Sequence, residues 1–126
     1  MNVLIDTHIL LWWLADDPRL PPLARSVIAL SDNAIMVSAA SAWEISIKKA
    51  AGRLEAPDNL LDVLNDNDFD TLPITATHAL AAGALPAHHA DPFDRMLIAQ
   101  ARLEALTLAS VDSRFPLYDV TLLPLI

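Results

Sequence analysis

Short, continuously apolar segments alternate along this chain with longer segments whose apolar residues recur at helical spacing. Strands that are apolar on both faces are typical of a parallel sheet covered by helices on each side. The strand candidates lie at residues 2–5, 34–37, 71–74, 106–111 and 120–123, and Pro73 makes the third of them a weak edge strand. The alternation predicts an α/β three-layer sandwich with a mainly parallel central sheet flanked by helices.

Helices are predicted between these strands, at residues 7–15, 22–30, 41–51, 58–64 and 76–82 and from Asp91 onward. Asp91 has the side chain of a helix N-cap, and Pro92 suits the first helical position. Gly52 is placed to end the 41–51 helix, because glycine readily adopts the left-handed backbone conformation that ends many helices.

The length of 126 residues suits one domain, and we expect residues 1–126 to form it. The longest apolar run, residues 9–15, is too short to span a bilayer, so no membrane association is expected. The chain has no cysteine, which excludes disulfides and thiolate metal sites, and its first residues do not resemble a secretory signal. These features predict a cytoplasmic protein.

Four carboxylates are predicted to meet at one edge of the sheet. Asp6 directly follows the first strand, and Asp112 follows the strand at 106–111. Glu44 lies in the first turn of the helix after the second strand, and Asp94 lies in the first turn of the Asp91 helix. In a parallel α/β sheet, the helices begin at the edge where the strands end, and ligands bind there. We therefore expect Asp6, Glu44, Asp94 and Asp112 to form one site.

Clustered carboxylates repel one another and need a compensating positive charge. Oxygen ligands favour hard cations, so we expect Mg²⁺ or Mn²⁺ rather than Zn²⁺. Such an ion activates water and stabilises the oxygens of a phosphoryl displacement, which allows a phosphodiester to be hydrolysed without a nucleophilic side chain.

Each acid also has a structural interpretation. Asp6 can cap the first helix, and Asp91 and Asp94 can serve as a cap and a first-turn acid. Ser41 and Glu44 match a capping box, and Glu44 and Lys48 have the spacing of a helical ion pair. Asp112 and Ser113 can form a turn. Capping explains each residue taken singly, but it does not explain why all four are predicted at one edge.

The sequence runs that contain these acids resemble those of a known family. They are Val3-Leu4-Ile5-Asp6-Thr7-His8, Trp43-Glu44-Ile45-Ser46-Ile47-Lys48, Asp91-Pro92-Phe93-Asp94-Arg95 followed by Leu97-Ile98-Ala99-Gln100-Ala101, and Ser110-Val111-Asp112. In this order they resemble the PIN-domain proteins, in particular the VapC ribonuclease toxins of bacterial type II toxin–antitoxin systems. The likeness extends over essentially the whole chain, and the Asp91–Ala101 run is its most specific part.

The resemblance implies that residues 1–126 form a single PIN-like nuclease domain that cleaves RNA with Mg²⁺ or Mn²⁺. It also implies a homodimer and a cognate antitoxin protein that inhibits it. By position, Asp6, Asp94 and Asp112 would be the metal ligands, and Glu44 would hold the water or a second ion. Thr7 and Ser110 resemble the small polar residues beside the family's site. Ser110 stands where the family commonly has Thr, and both residues carry a hydroxyl.

Several other residues are interpreted more simply. His8 is expected to be structural, and His88 and His89 are expected to be loop residues, with a substrate contact as the minor alternative. Lys48 and Arg95 lie near motif acids and are candidates for RNA phosphate contacts. Of the adjacent Trp12 and Trp13, one is expected in the core and the other at a partner interface, with burial of both as the alternative. Asp91 is interpreted as a cap rather than an extra ligand.

Two competing functions remain open. A non-catalytic PIN-fold binding protein is favoured by the net charge of −8, because nucleic-acid binders are usually basic. An Asp-dependent phosphoryl-transfer protein is disfavoured, since His8 stands where haloacid-dehalogenase-like phosphatases have a second Asp. Residues 106–117 also lack the Lys that receiver domains require.

Overall fold

Four parallel strands form the centre of the fold in the computed structural model, which describes residues 1–125. The strands are β1 (Asn2–Ile5), β2 (Ala34–Ser38), β3 (Asp70–Leu72) and β4 (Thr107–Ala109). Their order in the sheet is β3-β2-β1-β4, and Val3 of the central β1 lies opposite both Ile35 and Thr107. All three strand pairs are parallel, as the continuously apolar strands predicted.

Six helices connect and cover the strands. They are α1 (Thr7–Leu14), α2 (Pro22–Ala29), α3 (Ala39–Ala50), α4 (Leu60–Asp66), α5 (Ala76–Ala84) and α6 (Pro92–Leu103). A single 3₁₀ turn, Phe115–Leu117, follows β4. Within residues 1–125, none of the helices has both the length and the apolar character needed to cross a bilayer.

Both faces of the sheet carry a core, because successive side chains of a strand point to opposite faces. Val3 and Ile5 of β1 pack into the core shared with α1, α2, α4 and Ile45 of α3. Leu4, between them, packs into the other core with residues of α5 and α6 such as Leu97. The three-layer α/β arrangement is therefore confirmed.

Helix caps account for where the helices begin and end. Asp91 caps α6 by accepting hydrogen bonds from the backbone N–H groups of Phe93 and Asp94, and Gly52 follows α3 with a φ of 68°. The predicted start of α3 at Ser41 was wrong. The helix begins at Ala39, because Ser38, the last residue of β2, is its N-cap and accepts from the Ala40 N–H at 3.0 Å.

The outer strands are shorter than their sequence patterns predicted. β3 ends before Pro73, consistent with a residue that has no N–H to donate. The predicted strand at 120–123 is reduced to one parallel bridge between Leu108 and Leu122. It gains two backbone hydrogen bonds at Leu108 and then reaches Pro124, which cannot continue the ladder.

A buried glutamine joins the sheet to the helices on one face. Gln100 of α6 is fully buried, and its Oε1 accepts a 2.6 Å hydrogen bond from the Ser38 hydroxyl. Its Nε2 donates to the Pro73 carbonyl at 3.2 Å and lies 3.3 Å from Nδ1 of His78. These bonds connect α6 to the cap of α3 and to the segment between β3 and α5.

Replacing this glutamine with leucine is expected to destabilise the protein although it adds apolar surface. Gln100→Leu leaves the buried Ser38 hydroxyl proton without a partner and removes the hydrogen bond to the partly buried Pro73 carbonyl, which costs about 2 kcal/mol of unfolding free energy. Urea denaturation followed by circular dichroism measures the loss. The control Ser46→Ala removes an exposed hydroxyl on α3 and should change stability by less than about 0.5 kcal/mol. Equal midpoints for the two variants would contradict the prediction.

Candidate active site

The four predicted site acids line one cleft at the edge where β1 and β4 end. The cleft is bounded by Asp6, His8, Trp12, Glu44, Lys48, Asp91, Asp94, Val111, Asp112 and Arg114. Parallel strand ends and helix starts meet at this edge, as the sheet topology predicted. The catalytic role of the four acids stays a prediction.

Asp6 is both a helix cap and part of the cleft. It directly follows β1, its backbone N–H donates to the Ala109 carbonyl of β4, and its side chain accepts from the Ile9 N–H at 2.8 Å. Only 4% of the residue is exposed. Burial raises the pKa of Asp6, and the Ser110 hydroxyl and the Ile9 N–H partly offset this effect. The two interpretations of Asp6 are therefore compatible.

Glu44 is held by two side chains from different parts of the structure. It lies in the second turn of α3, because that helix begins earlier than predicted, and it is 4% exposed. Its Oε1 accepts a 2.6 Å hydrogen bond from the Thr7 hydroxyl, and its Oε2 pairs with Lys48 at 2.5 Å. The Thr7 and Ser41 hydroxyls are 3.1 Å apart. The Glu44–Lys48 ion pair is thus present, whereas the capping box with Ser41 is replaced by the Ser38 cap.

Asp94 and Asp112 are bridged by a buried histidine. His89 Nε2 lies 2.8 Å from Asp94 Oδ2 and 3.4 Å from Asp112 Oδ2. Its Nδ1 accepts from the Asp91 backbone N–H at 3.3 Å, so the ring proton is on Nε2 and is donated to Asp94. These three side chains place ligand atoms within 4.8 Å of one another.

The position of His89 depends on contacts that no local pattern reveals. Its backbone N–H donates to the Tyr118 hydroxyl at 2.9 Å, and its ring packs 6.0 Å from Phe115. The Arg95 guanidinium donates to its carbonyl at 3.2 Å. His89 lies in the loop before α6, as expected, but no sequence pattern indicated that it is 4% exposed and contacts two of the site acids.

Asp112 carries its own counter-charge, which the sequence reasoning also missed. Arg114 donates to it from Nε at 3.0 Å, from Nη2 at 2.8 Å and from its backbone N–H at 2.8 Å. The hydrogen bonds from Arg114 hold the pKa of Asp112 below its ordinary value. The spacing of the two residues is the signal that could have revealed this pair, because Asp17 and Arg19 form the same arrangement elsewhere.

The charge on Asp94 is poorly compensated. Burial, followed by the nearby charges of Asp91 and Asp6, raises the pKa of Asp94 to about 7, although the hydrogen bond from His89 opposes this. A divalent cation among these oxygens would remove the repulsion. Since His89 uses Nε2 as a donor, the remaining ligands are carboxylate oxygens, which fit Mg²⁺ or Mn²⁺.

Other predicted contacts are found in different roles. Arg95 was a candidate for phosphate binding, but its guanidinium donates to the carbonyls of Ala82, Gly83, Leu85, Pro86 and His89. It therefore fixes the segment before α6 instead of facing the cleft. His8 is exposed and lines the cleft rather than packing in the core. Asp91 lines the cleft, and its side chain is the α6 cap.

Comparison with known proteins places the chain in a family. The PIN domain family matches residues 3–120. Ribonuclease VapC22 of Mycobacterium tuberculosis is 31% identical over 116 residues, which cover 90% of this chain and 88% of the relative. The fold is shared with VapBC2 from Rickettsia felis bound to a DNA fragment from their promoter, with a TM-score of 0.72, 15% identity and 98% of both chains covered. It is also shared with a toxin–antitoxin complex from Klebsiella pneumoniae, with a TM-score of 0.66, 20% identity and 98% of both chains covered. The chain belongs to the PIN domain family.

Proposed function

We propose that residues 1–126 form a single nuclease domain that hydrolyses RNA with Mg²⁺ or Mn²⁺ and acts as the toxin of a toxin–antitoxin pair. The observation that carries the proposal is the cleft in which Asp6, Glu44, Asp94 and Asp112 come together in a chain of the PIN family. The 31% identity to Ribonuclease VapC22 supports RNA as the substrate. We place the protein in the cytoplasm, where it would meet its RNA substrate.

Asp6, Asp94 and Asp112 would hold the metal. When bound, such an ion polarises a phosphoryl oxygen and lowers the pKa of bound water. His89 would orient Asp94 by donating its Nε2 proton to it, and it would hold Asp112 nearby through the 3.4 Å contact. Burial of Asp6 would keep bulk water away from one side of this group.

Glu44 and Lys48 would act beside the metal ligands. Each Glu44 oxygen accepts one hydrogen bond, from Thr7 or Lys48, and retains a lone pair that can accept from the attacking water. The Lys48 ammonium uses one of its three donors on Glu44, and the others can bind the scissile phosphate. Thr7 would fix the Glu44 carboxylate through the 2.6 Å bond.

The net charge of −8 favours one alternative, a PIN-fold protein that binds a partner without catalysis. A nuclease needs the buried acids, whereas a non-catalytic binding protein does not. Such a protein gains nothing from the mutual repulsion of Asp6 and Asp94, and relieving that repulsion would stabilise the fold.

We infer a cognate antitoxin as the protein partner. Support comes from the fold shared with the toxin–antitoxin complex from Klebsiella pneumoniae and from the identity to VapC22. A short adjacent gene whose product has a DNA-binding amino-terminal half is the expected companion. A genomic neighbourhood without any small open reading frame beside this one would contradict the pairing.

We also propose a homodimer that buries an exposed apolar strip formed by Trp43, Ile47 and Phe93. Trp43 is 62% exposed and Ile47, one turn further along α3, is 44% exposed. Trp43 meets Phe93 edge to face, with ring centroids 5.3 Å apart. Aromatic side chains left in solvent at this density are typical of a surface that a partner covers.

Removing the charge of a ligand acid should abolish cleavage without unfolding the domain. Asp6→Asn and Asp94→Asn are each expected to slow RNA cleavage in Mn²⁺ by about a hundredfold or more. In the wild type, Mn²⁺ should raise the melting temperature, because a ligand of the folded state stabilises it, and both variants should lose this effect. Cleavage assays on purified protein and thermal unfolding with and without Mn²⁺ provide the two readouts.

The metal-free stabilities provide the control for this experiment. Because the pKa of Asp94 is raised, ionising it opposes folding, and the penalty grows as pH rises from its ordinary pKa to about 7. Above that pH, Asp94→Asn should melt at a higher temperature than the metal-free wild type. Cleavage that survives both substitutions would exclude the proposed site.

His89 should be needed as a donor rather than as packing. His89→Leu keeps an apolar side chain against Phe115 but removes the donor, and it should weaken Mn²⁺ binding and RNA cleavage by about 10- to 100-fold. His89→Gln, whose amide can place a donor near the position of Nε2, should recover part of both. Calorimetric titration with Mn²⁺ separates this role from folding. Two variants with equal Mn²⁺ affinity would argue that His89 acts through packing alone.

A charge in the apolar strip should dissociate the dimer. Trp43→Glu places a carboxylate at the proposed interface and should shift the mass measured by light scattering from twice 13.7 kDa to 13.7 kDa. Leu80→Glu is the matched control, because Leu80 of α5 is 78% exposed and lies outside the strip. A wild type that sediments as a monomer at micromolar concentration, or a Leu80 variant that dissociates as well, would contradict this interface.

A further inference from the structure

A second groove leads away from the carboxylate cleft along α1. It is lined by His8, Leu11 and Trp12 of α1 and by Arg19, Lys48 and Arg53, among others. We call it the α1 groove. His8, Trp12, Glu44 and Lys48 line both the cleft and the groove, so the two form one continuous depression. A chain bound across the acids therefore has a path into the α1 groove.

Flat side chains line this path at stacking distance. The Trp12 ring centroid is 5.9 Å from that of His8, at an interplanar angle of 47°. The guanidinium carbon of Arg19 lies 5.4 Å from the centroid of the same Trp12 ring. Asp17 occupies the donor edge of that guanidinium with bonds of 3.1 and 2.8 Å. The bonds to Asp17 thereby hold the Arg19 guanidinium beside the Trp12 ring.

Basic side chains lie in the same region, together with seven acidic ones. Four of the eight Lys and Arg residues of this acidic chain line the cleft or the α1 groove: Arg19, Lys48, Arg53 and Arg114. Within residues 1–125, the exposed Arg53 makes no ion pair with a carboxylate. Single-stranded nucleic acid is recognised by this combination of cationic and planar groups.

Trp13 shows that the arrangement of Trp12 is not a general property of this helix. Trp13 donates from Nε1 to Asn67 Oδ1 at 3.1 Å and packs 6.4 Å from Phe69. The indole N–H of Trp13 is thus hydrogen-bonded within the fold, whereas Trp12 lines the α1 groove. Both tryptophans are half-buried and pack against the core, so core packing does not account for the exposed part of Trp12.

We propose that the α1 groove binds the single-stranded RNA that flanks the cleaved phosphodiester, with a nucleobase stacked on the surface of His8, Trp12 and Arg19 and a phosphate bound by Arg53. This inference rests on the proposed nuclease function and adds a substrate-binding subsite to it. The stacking surface accepts any base, since every base has a flat face, and the sequence preference of the enzyme is set elsewhere along the bound strand.

The test measures RNA binding in EDTA, so that it does not depend on catalysis. Fluorescence anisotropy of a short labelled oligouridylate gives the dissociation constant for each variant. Trp12→Leu preserves apolar packing and should raise the constant about tenfold, the effect of losing one stacked base, whereas Trp12→Phe should stay within about threefold of the wild type. Circular dichroism verifies that both variants are folded.

Two basic residues, Arg53 and Lys49, provide the matched electrostatic control. Arg53→Gln should weaken binding severalfold and reduce its dependence on salt, because one phosphate contact is lost. Lys49→Gln removes the same charge from a lysine that pairs with Asp58 outside the groove, and it should leave the constant unchanged. Arg53 is exposed, so this comparison does not depend on how well a tryptophan variant folds.

The outcomes separate the groove from the catalytic proposal. Equal constants for Trp12→Leu and Trp12→Phe, or for Arg53→Gln and Lys49→Gln, would overturn the subsite, and so would a Trp12→Leu protein that binds RNA normally but fails to bind the antitoxin. If the variants show the expected differences in RNA binding but the wild type cleaves no RNA in Mn²⁺, the nuclease function would be overturned while the groove proposal stands.

Discussion

Repulsion among buried carboxylates at one end of the parallel sheet is the constraint on which the site depends. The fold leaves no choice about where these acids lie, because β1 and β4 are neighbours and both end at this edge. Asp6 and Asp112 follow those strands, and Asp94 enters from the first turn of α6. Burying these acids costs free energy, and the raised pKa values of Asp6 and Asp94 reflect that cost: burial contributes most, and the charge of Glu44 near Asp6 and the charges of Asp91 and Asp6 near Asp94 add to it.

Neighbouring side chains compensate the charge of some of these acids better than that of others. Asp112 is compensated by Arg114, and Glu44 by Lys48 and the Thr7 hydroxyl. Asp94 accepts a hydrogen bond from His89, yet its pKa stays raised, so its charge remains unfavourable. A cation bound near Asp94 and Asp6, whose pKa is also raised, would therefore stabilise both carboxylates.

The sequence predicts the frame of this site better than its details. Strand and helix order was enough to bring Asp6, Glu44, Asp94 and Asp112 to one edge, because that inference needs only topology. The start of α3 was misplaced because β2 runs into it without a loop, so that Ser38 rather than Ser41 is the cap. His89 was missed for a different reason. Its position depends on Tyr118, Phe115 and Arg95, which approach it from elsewhere in the fold.

Arg95 illustrates why charge alone is a poor guide to function in this chain. It lies next to Asp94 in the sequence, yet its guanidinium is used by backbone carbonyls of the segment that carries His89. Arg53, far from the motif acids in sequence, lines a groove that continues from their cleft. The same reasoning applies to the net charge of −8, which argues against an RNA-binding protein only if charge is spread evenly. A bound strand responds to the charges within about a Debye length, roughly 8–10 Å, and half of the basic residues of the chain line the depression that it would occupy. The depression is lined by four basic and seven acidic residues, so a divalent ion bound among the acids would bring it close to neutral although the whole molecule is acidic.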